Sequence, residues 1–530
     1  MKRIEIDYNI VRTFGDIVRF HASRRAQSVA LTFEGRDTTW SALESGTDRV
    51  ANALHAAGCR PGDRVAFVGK GTDEFFELLF GVAKAGAVIV PVQWRLAAAE
   101  MQQILADSQA TLLFVGSDQF EKLDMLRVAV PNTTVFAMEH GHAGLPRYAD
   151  WRDAAPPAPL MTNVDAAAPV LQLYTSGTTG LPKGVMLSHR NILQFRRDEA
   201  RTPMGWNDWL ENDVNLVAMP VGHIGGVGWG IVSLLNGART VIHREFIPAN
   251  VLDAIESQRI SHLFVVPTAL QMLLLQPRVR QIDYRHLRNI LYGASPIALD
   301  LLREATEVFG CGFCQQYGMT ETSGTVVYLP PSDHSAAGTK RMRAAGIPMP
   351  GVEIRVVHPQ SRQPVAPGEV GEVETRSVAN MVGYWNQPEA TADTVNAEGW
   401  LRTGDAGYLD EDQYLYIHDR FKDMIVSGAE NIYPAEIENA IYGHPAVQEV
   451  AVIGVPDDQW GEAVKAMVVL KPGATADIDG ILAFARDRIA AFKLPKSIDV
   501  VPALPRGATG KLLRRELRDK FWAGRERKVN

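Results

Sequence analysis

Residues 170–184 read Val170-Leu-Gln-Leu-Tyr-Thr-Ser-Gly-Thr-Thr-Gly-Leu-Pro-Lys-Gly184, a short apolar strand running straight into a loop of glycines, hydroxyls and one lysine. Gly177, Gly180 and Gly184 let backbone N–H groups turn toward an anion. The hydroxyls of Thr175, Ser176, Thr178 and Thr179 add donors, and Lys183 adds a positive charge. This is the chemistry of a phosphate cradle. It is not a Walker loop, which needs Gly-Lys-Ser/Thr after a four-residue gap, because Pro182 stands immediately ahead of the lysine.

Upstream of the loop, strand and helix patterns alternate. Arg64–Gly69 is an apolar run, Thr72 caps a helix with Asp73 and Glu74 in its first turn, and Gly86 ends it. Ala87–Val92, a helical stretch Leu96–Ser108 and Thr111–Val115 follow, as in parallel βαβ units. An Ala/Pro segment, Asp153–Ala168, reads as a surface connection. Downstream, short apolar runs recur at Val214–Met219, Thr240–His243, His262–Val266 and Asn289–Tyr292, so several sheets or one large one are expected. Past Pro350 the alternation at Val352–Val357 and Gly371–Thr375 predicts antiparallel strands in a smaller β-barrel-like unit. From Asp419-Arg420 onward, short strands mix with helices at Ala435–Tyr442, Asp477–Ala490 and Leu512–Lys520. The expected fold is therefore α/β: a large N-terminal domain of α/β layers over residues 1–419, and a small α+β C-terminal domain over 420–530.

Composition narrows the function classes. A chain of 530 residues, 46% hydrophobic and 22% charged, is an ordinary globular protein with little scope for long disorder. With 54 basic and 61 acidic residues the net charge is −7, so no general field draws in nucleic acid or anionic lipid, and any phosphate must be held locally. The three cysteines, Cys59, Cys311 and Cys314, are too few for a disulfide framework. They fit a reducing, cytoplasmic compartment, and the single CxxC lacks a second pair to complete a zinc site. Glu5 and Asp7 break the N-terminal segment before an apolar run develops, unlike a signal peptide. Val214–Ala238 carries no charge, but its proline and glycines read as a strand, a turn and a buried helix rather than a membrane span.

Further segments place chemistry along the chain. In Tyr317-Gly-Met-Thr-Glu321 an aromatic able to stack on a base lies within five positions of a carboxylate able to hold Mg²⁺. Asp405, after the turn Thr403-Gly404, can present its carboxylate to vicinal hydroxyls, and Arg420 can add a donor fork. His223 closes an apolar run in Pro220-Val-Gly-His-Ile-Gly-Gly226. No acid stands between Pro220 and Ile231. The glycines at 225, 226, 228 and 230 are expected to leave space for a chain or ring.

The loop Tyr174–Gly184 resembles the nucleotide signature of the adenylate-forming enzymes, the superfamily of acyl-CoA synthetases, peptide-synthetase adenylation domains and luciferase. Four more segments match in order: Gln316–Glu321, Gly399–Asp405, Asp419-Arg420 and Pro505–Lys511. The chain is most similar to bacterial fatty-acid or acyl-CoA ligases. The resemblance implies that Thr175, Ser176, Gly177, Thr178, Thr179 and Lys183 bind the nucleotide phosphates. It implies that Gly293, Ala294, Ser295, Tyr317 and Gly318 border adenine, and that Asp405 and Arg420 grip the ribose. Thr320 would contact the α-phosphate, Glu321 with Thr175 would hold Mg²⁺, and His223 would sit beside the acyl carboxylate, although Gly222 stands where many relatives carry an aromatic. Amino-acid-activating relatives place an aspartate in this segment to pair with the substrate ammonium, so its absence from Pro220–Ile231 disfavours an amino acid. Lys511 would reach the reacting carboxylate during adenylation. The C-terminal domain would be mobile with Lys422 as its hinge, and rotation would bring up Ser427, Gly428, Ala429 and Glu430 to shape a thiol tunnel. ATP, Mg²⁺ and coenzyme A are the implied cofactors. The implied partners are a small carboxylic acid, medium- or long-chain or aryl, with no nucleic acid and no integral membrane segment; a homo-oligomer stays open. A carrier-protein thiol is the alternative acceptor.

Overall fold

The computed structural model describes residues 3–160, 162–176, 182–202, 204–427, 430–475, 477–507 and 512–523. The βαβ alternation read upstream of residue 115 is present: strands Arg64–Val68, Val88–Val92 and Leu112–Val115 alternate with helices Asp73–Lys84 and Ala98–Ser108. Thr72 caps the first helix by accepting from Phe75 N–H at 3.1 Å, and Gly86, at φ +75°, turns the chain out of it.

These strands belong to a seven-stranded sheet ordered Gly383–Tyr384, Pro182–Ser188, Pro169–Ser176, Val88–Val92, Arg64–Val68, Leu112–Val115, Thr134–Ala137. Its long parallel part is apolar because both faces are covered. Val90 and Val92 pack on Met101, Ile104 and Leu105, while Ile89 joins a second cluster with Leu79 and Val227. A nine-stranded sheet includes neighbouring strands Gly324–Leu329, Gly312–Met319, Asn289–Gly293, His262–Val265 and Val214–Val217. The uncharged run from Val214 divides into strand Val214–Val217 and helix Ile224–Leu235, and among the described residues no helix is long and apolar enough to cross a membrane.

The β-rich unit past Pro350 is a four-stranded antiparallel sheet: Glu353–Val357, Gly371–Arg376, Leu401–Leu409 and Leu415–Arg420. Its last strand runs into the turn Phe421–Asp423, and Ile425–Ser427 then opens a five-stranded sheet. That sheet has an apolar core of its own, with Ile425, Ile437, Ile441, Val464 and Ile481 packed together. Two helices are shorter than or shifted from their sequence-based limits, at Ile478–Arg486 and Arg514–Trp522. Asp477 caps the first by accepting from Gly480 N–H at 2.8 Å. Cys59 and Cys314 are buried, Cys311 is half-buried, and all three are free thiols.

Candidate active site

The phosphate loop is the end of a β-hairpin, with Tyr174 opposite Gly184 and Thr175 opposite Lys183. Ser176 ends its first strand, whereas Gly177, Thr178 and Thr179 lie outside the described residues. The base of the hairpin is pinned by residues that the sequence reading passed over. Tyr174 donates its phenol to Asp107 at 2.6 Å and accepts from the Gln172 amide at 3.0 Å, and Arg64 donates to Gln172 at 3.2 Å. Trp385 donates its backbone N–H to Gly184 at 2.7 Å and its indole N–H to the Asp107 carbonyl at 2.9 Å, under an Arg64 guanidinium 3.3 Å from its ring centre. A Cβ on Gly184 would stand 2.8 Å from the Gln172 amide nitrogen and 3.1 Å from the Tyr174 ring, so a side chain there would displace the Gln172 amide from Tyr174.

Glu321 projects from a single 3₁₀ turn, Thr320–Thr322, and is 6% exposed. Its Oε1 accepts from the Tyr384 phenol at 3.0 Å and from Thr175 Oγ1 at 3.4 Å. Lys183 places its ammonium 4.9 Å from the centre of the Tyr384 ring. One tyrosine, in strand Gly383–Tyr384 beside Trp385, thus touches both Glu321 and Lys183, the acid and the base of the candidate site. Burial and the neighbouring Glu321 carboxylate raise its hydroxyl pKa above the ordinary phenol value, which keeps it a donor. Among the described residues no group of three or more His, Cys, Asp and Glu could hold a metal by itself. One buried carboxylate beside a threonine hydroxyl instead fits Mg²⁺, which is commonly held by one or two carboxylates together with substrate phosphates. Gly318 is needed for the approach to this turn, because a Cβ there would fall 1.8 Å from the Gly324 carbonyl oxygen.

On the expected ribose side, Asp405 and Arg420 stand opposite each other on adjacent strands, with Arg420 Nε 3.5 Å from Asp405 Oδ1. Tyr317 donates its phenol to Asp405 Oδ2 at 2.7 Å. The base-stacking candidate and the carboxylate expected at the ribose are therefore one hydrogen-bonded unit, and a carboxylate retains lone pairs for further donors. Gly293 ends the strand beside Gln316, whose carbonyl oxygen would lie 2.0 Å from an added Cβ. Ala294 follows at φ +67° and Ser295 is half-buried, so this segment is small for a backbone reason.

His223 caps helix Ile224–Leu235. Burial first, and Arg95 second, lower its pKa to about 4, so the ring is neutral near pH 7, and its Nε2 is buried without a partner among the described residues. Gly222 has a packing cause: a Cβ would stand 2.8 Å from Gln93 Cα and 2.9 Å from its nitrogen, so no aromatic fits. The expectation that all four nearby glycines open a pocket needs correction. A Cβ on Gly226 would meet the Pro220 carbonyl oxygen at 2.2 Å, and one on Gly230 the Phe76 ring at 2.4 Å, so these two allow close packing instead.

In the C-terminal part, Lys422 sits in the turn Phe421–Asp423, and Ser427 and Glu430 pair across adjacent strands. Gly428, Ala429 and Lys511 lie outside the described residues. Arg506 and Gly507, just ahead of that lysine, line a groove of about 550 Å³ with Trp94, Arg95 and Lys122, on the Arg95 side of His223. Arg506 also donates to Thr268 at 3.2 Å, and Gln271 donates to Tyr442 at 2.9 Å.

The AMP-binding enzyme family matches residues 18–385, and the AMP-binding enzyme C-terminal domain matches residues 436–511. The chain is 43% identical over 521 residues, 98% of each chain, to fatty acid–[acyl-carrier-protein] ligase ScoC of Streptomyces coeruleorubidus. It is 39% identical over 503 residues, 93% of this chain and 96% of the relative, to a feruloyl-CoA synthase of Amycolatopsis sp. Among solved structures, ATP-bound MatB from Rhodopseudomonas palustris superposes with a TM-score of 0.86 at 29% identity, covering 97% of this chain and 100% of that one.

Proposed function

This chain belongs to the AMP-binding enzyme family, and we propose that it is an ATP-dependent, AMP-forming acid–thiol ligase for a carboxylic acid without an α-amino group. In the first half-reaction a carboxylate oxygen attacks the α-phosphorus of ATP, and the bond to pyrophosphate breaks. In the second, the coenzyme A thiol attacks the acyl carbonyl, loses its proton, and AMP leaves. The observation that carries this reading is the meeting of Thr175, Glu321 and Tyr384, with Lys183 beside them, at one buried carboxylate.

In this reading the hairpin backbone, Thr175 and Lys183 receive the phosphates, and Thr320 orients the α-phosphate. Glu321 and Thr175 would hold Mg²⁺, which offsets phosphate charge when bound. Tyr317, Asp405 and Arg420 hold the nucleoside. Neutral His223 faces the carboxylate from a helix N-terminus with no acid in its first turn, an arrangement suited to an anion. Lys511 supplies the cation of the adenylation step. We place the domain boundary at 419/420 and the pivot at Lys422; the independent core beyond the turn Phe421–Asp423 supports this division. The position of Arg506 and Gly507 beside Arg95 favours the adenylation arrangement. The free cysteines are compatible with a cytoplasmic location.

Pyrophosphate release screened over a panel of carboxylic acids, with nucleotide and thioester products identified, tests the reading. AMP and an acyl-CoA are expected. Robust turnover of an α-amino acid with no acyl-CoA would overturn it. The 43% identity to an acyl-carrier-protein ligase favours one second reading, a carrier-protein thiol as acceptor. Transfer to a phosphopantetheinylated carrier protein but not to free coenzyme A would select it.

A further inference from the structure

Arg506 lies in the C-terminal part but is held from both sides of the domain division. Its guanidinium donates to Glu449 Oε2 at 2.6 Å, within the small domain, and to Thr268 Oγ1 at 3.2 Å, on helix Pro267–Leu274 of the large one. Gln271, three residues on and therefore on the same face of that helix, uses both hydrogens of its amide nitrogen. One goes to the Tyr442 phenol oxygen at 2.9 Å and the other to the Gln448 carbonyl at 3.0 Å. Burial, and then the acids Glu304, Glu449 and Asp300, push the Tyr442 hydroxyl up to about 12, so this contact is between neutral groups near pH 7.

Arg506 also stands at the base of the segment that carries Lys511. Arg506 and Leu512 form an antiparallel bridge, and Leu513 donates its backbone N–H to the Pro505 carbonyl at 2.9 Å. The residues on either side of that segment are thus fastened together at a side chain that reaches across to the large domain. Glu449 and Thr268 stand on opposite sides of the pivot placed at Lys422, in the turn Phe421–Asp423, so rotation about it cannot preserve both contacts of Arg506.

We propose that Thr268, Gln271 and Arg506 form a clasp between the two domains that exists only in the adenylation arrangement, and that Arg506 is the positioning residue for the Lys511 segment in that half-reaction. The inference rests on the acid–thiol ligase reading above. A contact made in one arrangement and lost in the other shifts the balance between them by its own free energy, and contributes nothing to a step run in the other arrangement. Removing the clasp therefore separates the two half-reactions, whereas damage to the fold strikes both.

The test measures the two half-reactions separately in the full-length native enzyme, Thr268→Ala, Gln271→Ala, Arg506→Ala and Arg506→Lys. Adenylation is single-turnover pyrophosphate release with whichever of hexanoate, octanoate, dodecanoate and a phenylpropenoate the native enzyme uses fastest; thioester formation starts from the matching synthetic acyl-adenylate. Arg506→Ala should slow adenylation by about tenfold or more and Gln271→Ala by about 2- to 10-fold, the usual worth of a charged and of a neutral hydrogen bond. Thioester formation should hold or rise in each. Arg506→Lys, which keeps the charge without the fork, should recover part of the loss. In a Lys511→Ala background, Arg506→Ala should slow adenylation little further, and a fully additive loss would overturn the positioning role. If Arg506→Ala does not fold, Thr268→Ala and Gln271→Ala, which leave the small domain unaltered, still decide. Equal slowing of both half-reactions in folded variants, or unchanged rates in all of them, would overturn the clasp while leaving the ligase reading intact. Absence of AMP with every acid would overturn the ligase reading, and the inference with it.

Discussion

Tyr384→Phe removes one oxygen atom from the site and leaves the ring. The lost contact is the 3.0 Å hydrogen bond from the phenol to Glu321 Oε1. A hydrogen bond to a charged group contributes about 1.5–3 kcal/mol. Thr175 still donates to the same oxygen, but at 3.4 Å, a weak distance for two oxygens, so it recovers little of the loss. If the bond serves to aim the carboxylate, that energy appears in the adenylation barrier. At 1.36 kcal/mol per decade this is a slowing of about 10- to 100-fold. Half-saturation by Mg²⁺ should rise as well, and nucleotide affinity measured by direct titration should weaken in the presence of Mg²⁺ more than in its absence. Acyl-AMP formation is measured by single-turnover pyrophosphate release, and the second half-reaction is started separately from synthetic acyl-adenylate. The second rate should hold, because the carboxylate–phosphate geometry is no longer used there. The Lys183 ammonium remains over a phenyl face, so its contact does not confound the result. Unchanged adenylation and Mg²⁺ dependence in a folded Tyr384→Phe would refute the reasoning, and an equal slowing of both half-reactions would show a role in holding the fold.

Glu321→Gln keeps shape and loses charge; adenylation should fall by about 100-fold and demand more Mg²⁺, as for other single electrostatic groups, and a flat Mg²⁺ titration would count against the assignment. Lys511→Ala should slow adenylation by about 10²–10³-fold yet spare thioester formation from acyl-adenylate, as measured in the two separated half-reactions. Lys422→Pro should show the reverse pattern, because a fixed φ at the pivot restricts rotation; equal rates in both halves would remove the hinge. Thermal stability should decline as pH falls from about 6.5 to about 4, where burial holds His21, His189, His223, His262 and His334 neutral in the folded chain while the unfolded chain takes up protons. Burial raises Asp419 to about 6 and also raises Glu44 and Glu74, so these carboxyls act in the opposite sense as the pH falls from their folded toward their unfolded values. A melting temperature that stays level or rises as the pH is lowered across that window would contradict the histidine assignment.

The parts legible in the sequence are those whose cause is local. Thr72 accepts from a backbone N–H three residues on, and the apolar runs of the parallel strands follow from burial on both faces. The phosphate hairpin could be read because its glycines and hydroxyls lie side by side in the chain. Asp405 and Arg420 were legible as acceptor and donor, and a single strand pairing brings them together. The resemblance to a known family supplied order and roles for segments that no local rule connects.

Tyr384 and Trp385 escaped that reading because their partners are far along the chain: Glu321 lies 63 residues away and Asp107 lies 278 residues away. Only the strand order that sets Gly383–Tyr384 beside the phosphate hairpin makes them neighbours. A sequence signal was present, an aromatic pair after Gly383 between two β-rich stretches, but it names no partner. The glycine helix shows the same limit. Gly225, Gly226 and Gly230 read as open volume, yet the ring of Phe264, the backbone of Pro220 and the ring of Phe76 occupy it. Residue type and spacing decide what a side chain can do, because those are covalent facts. Which cavity stays open and which carboxylate finds a donor depends on how sheets and helices pack, because excluded volume is settled only when distant segments meet.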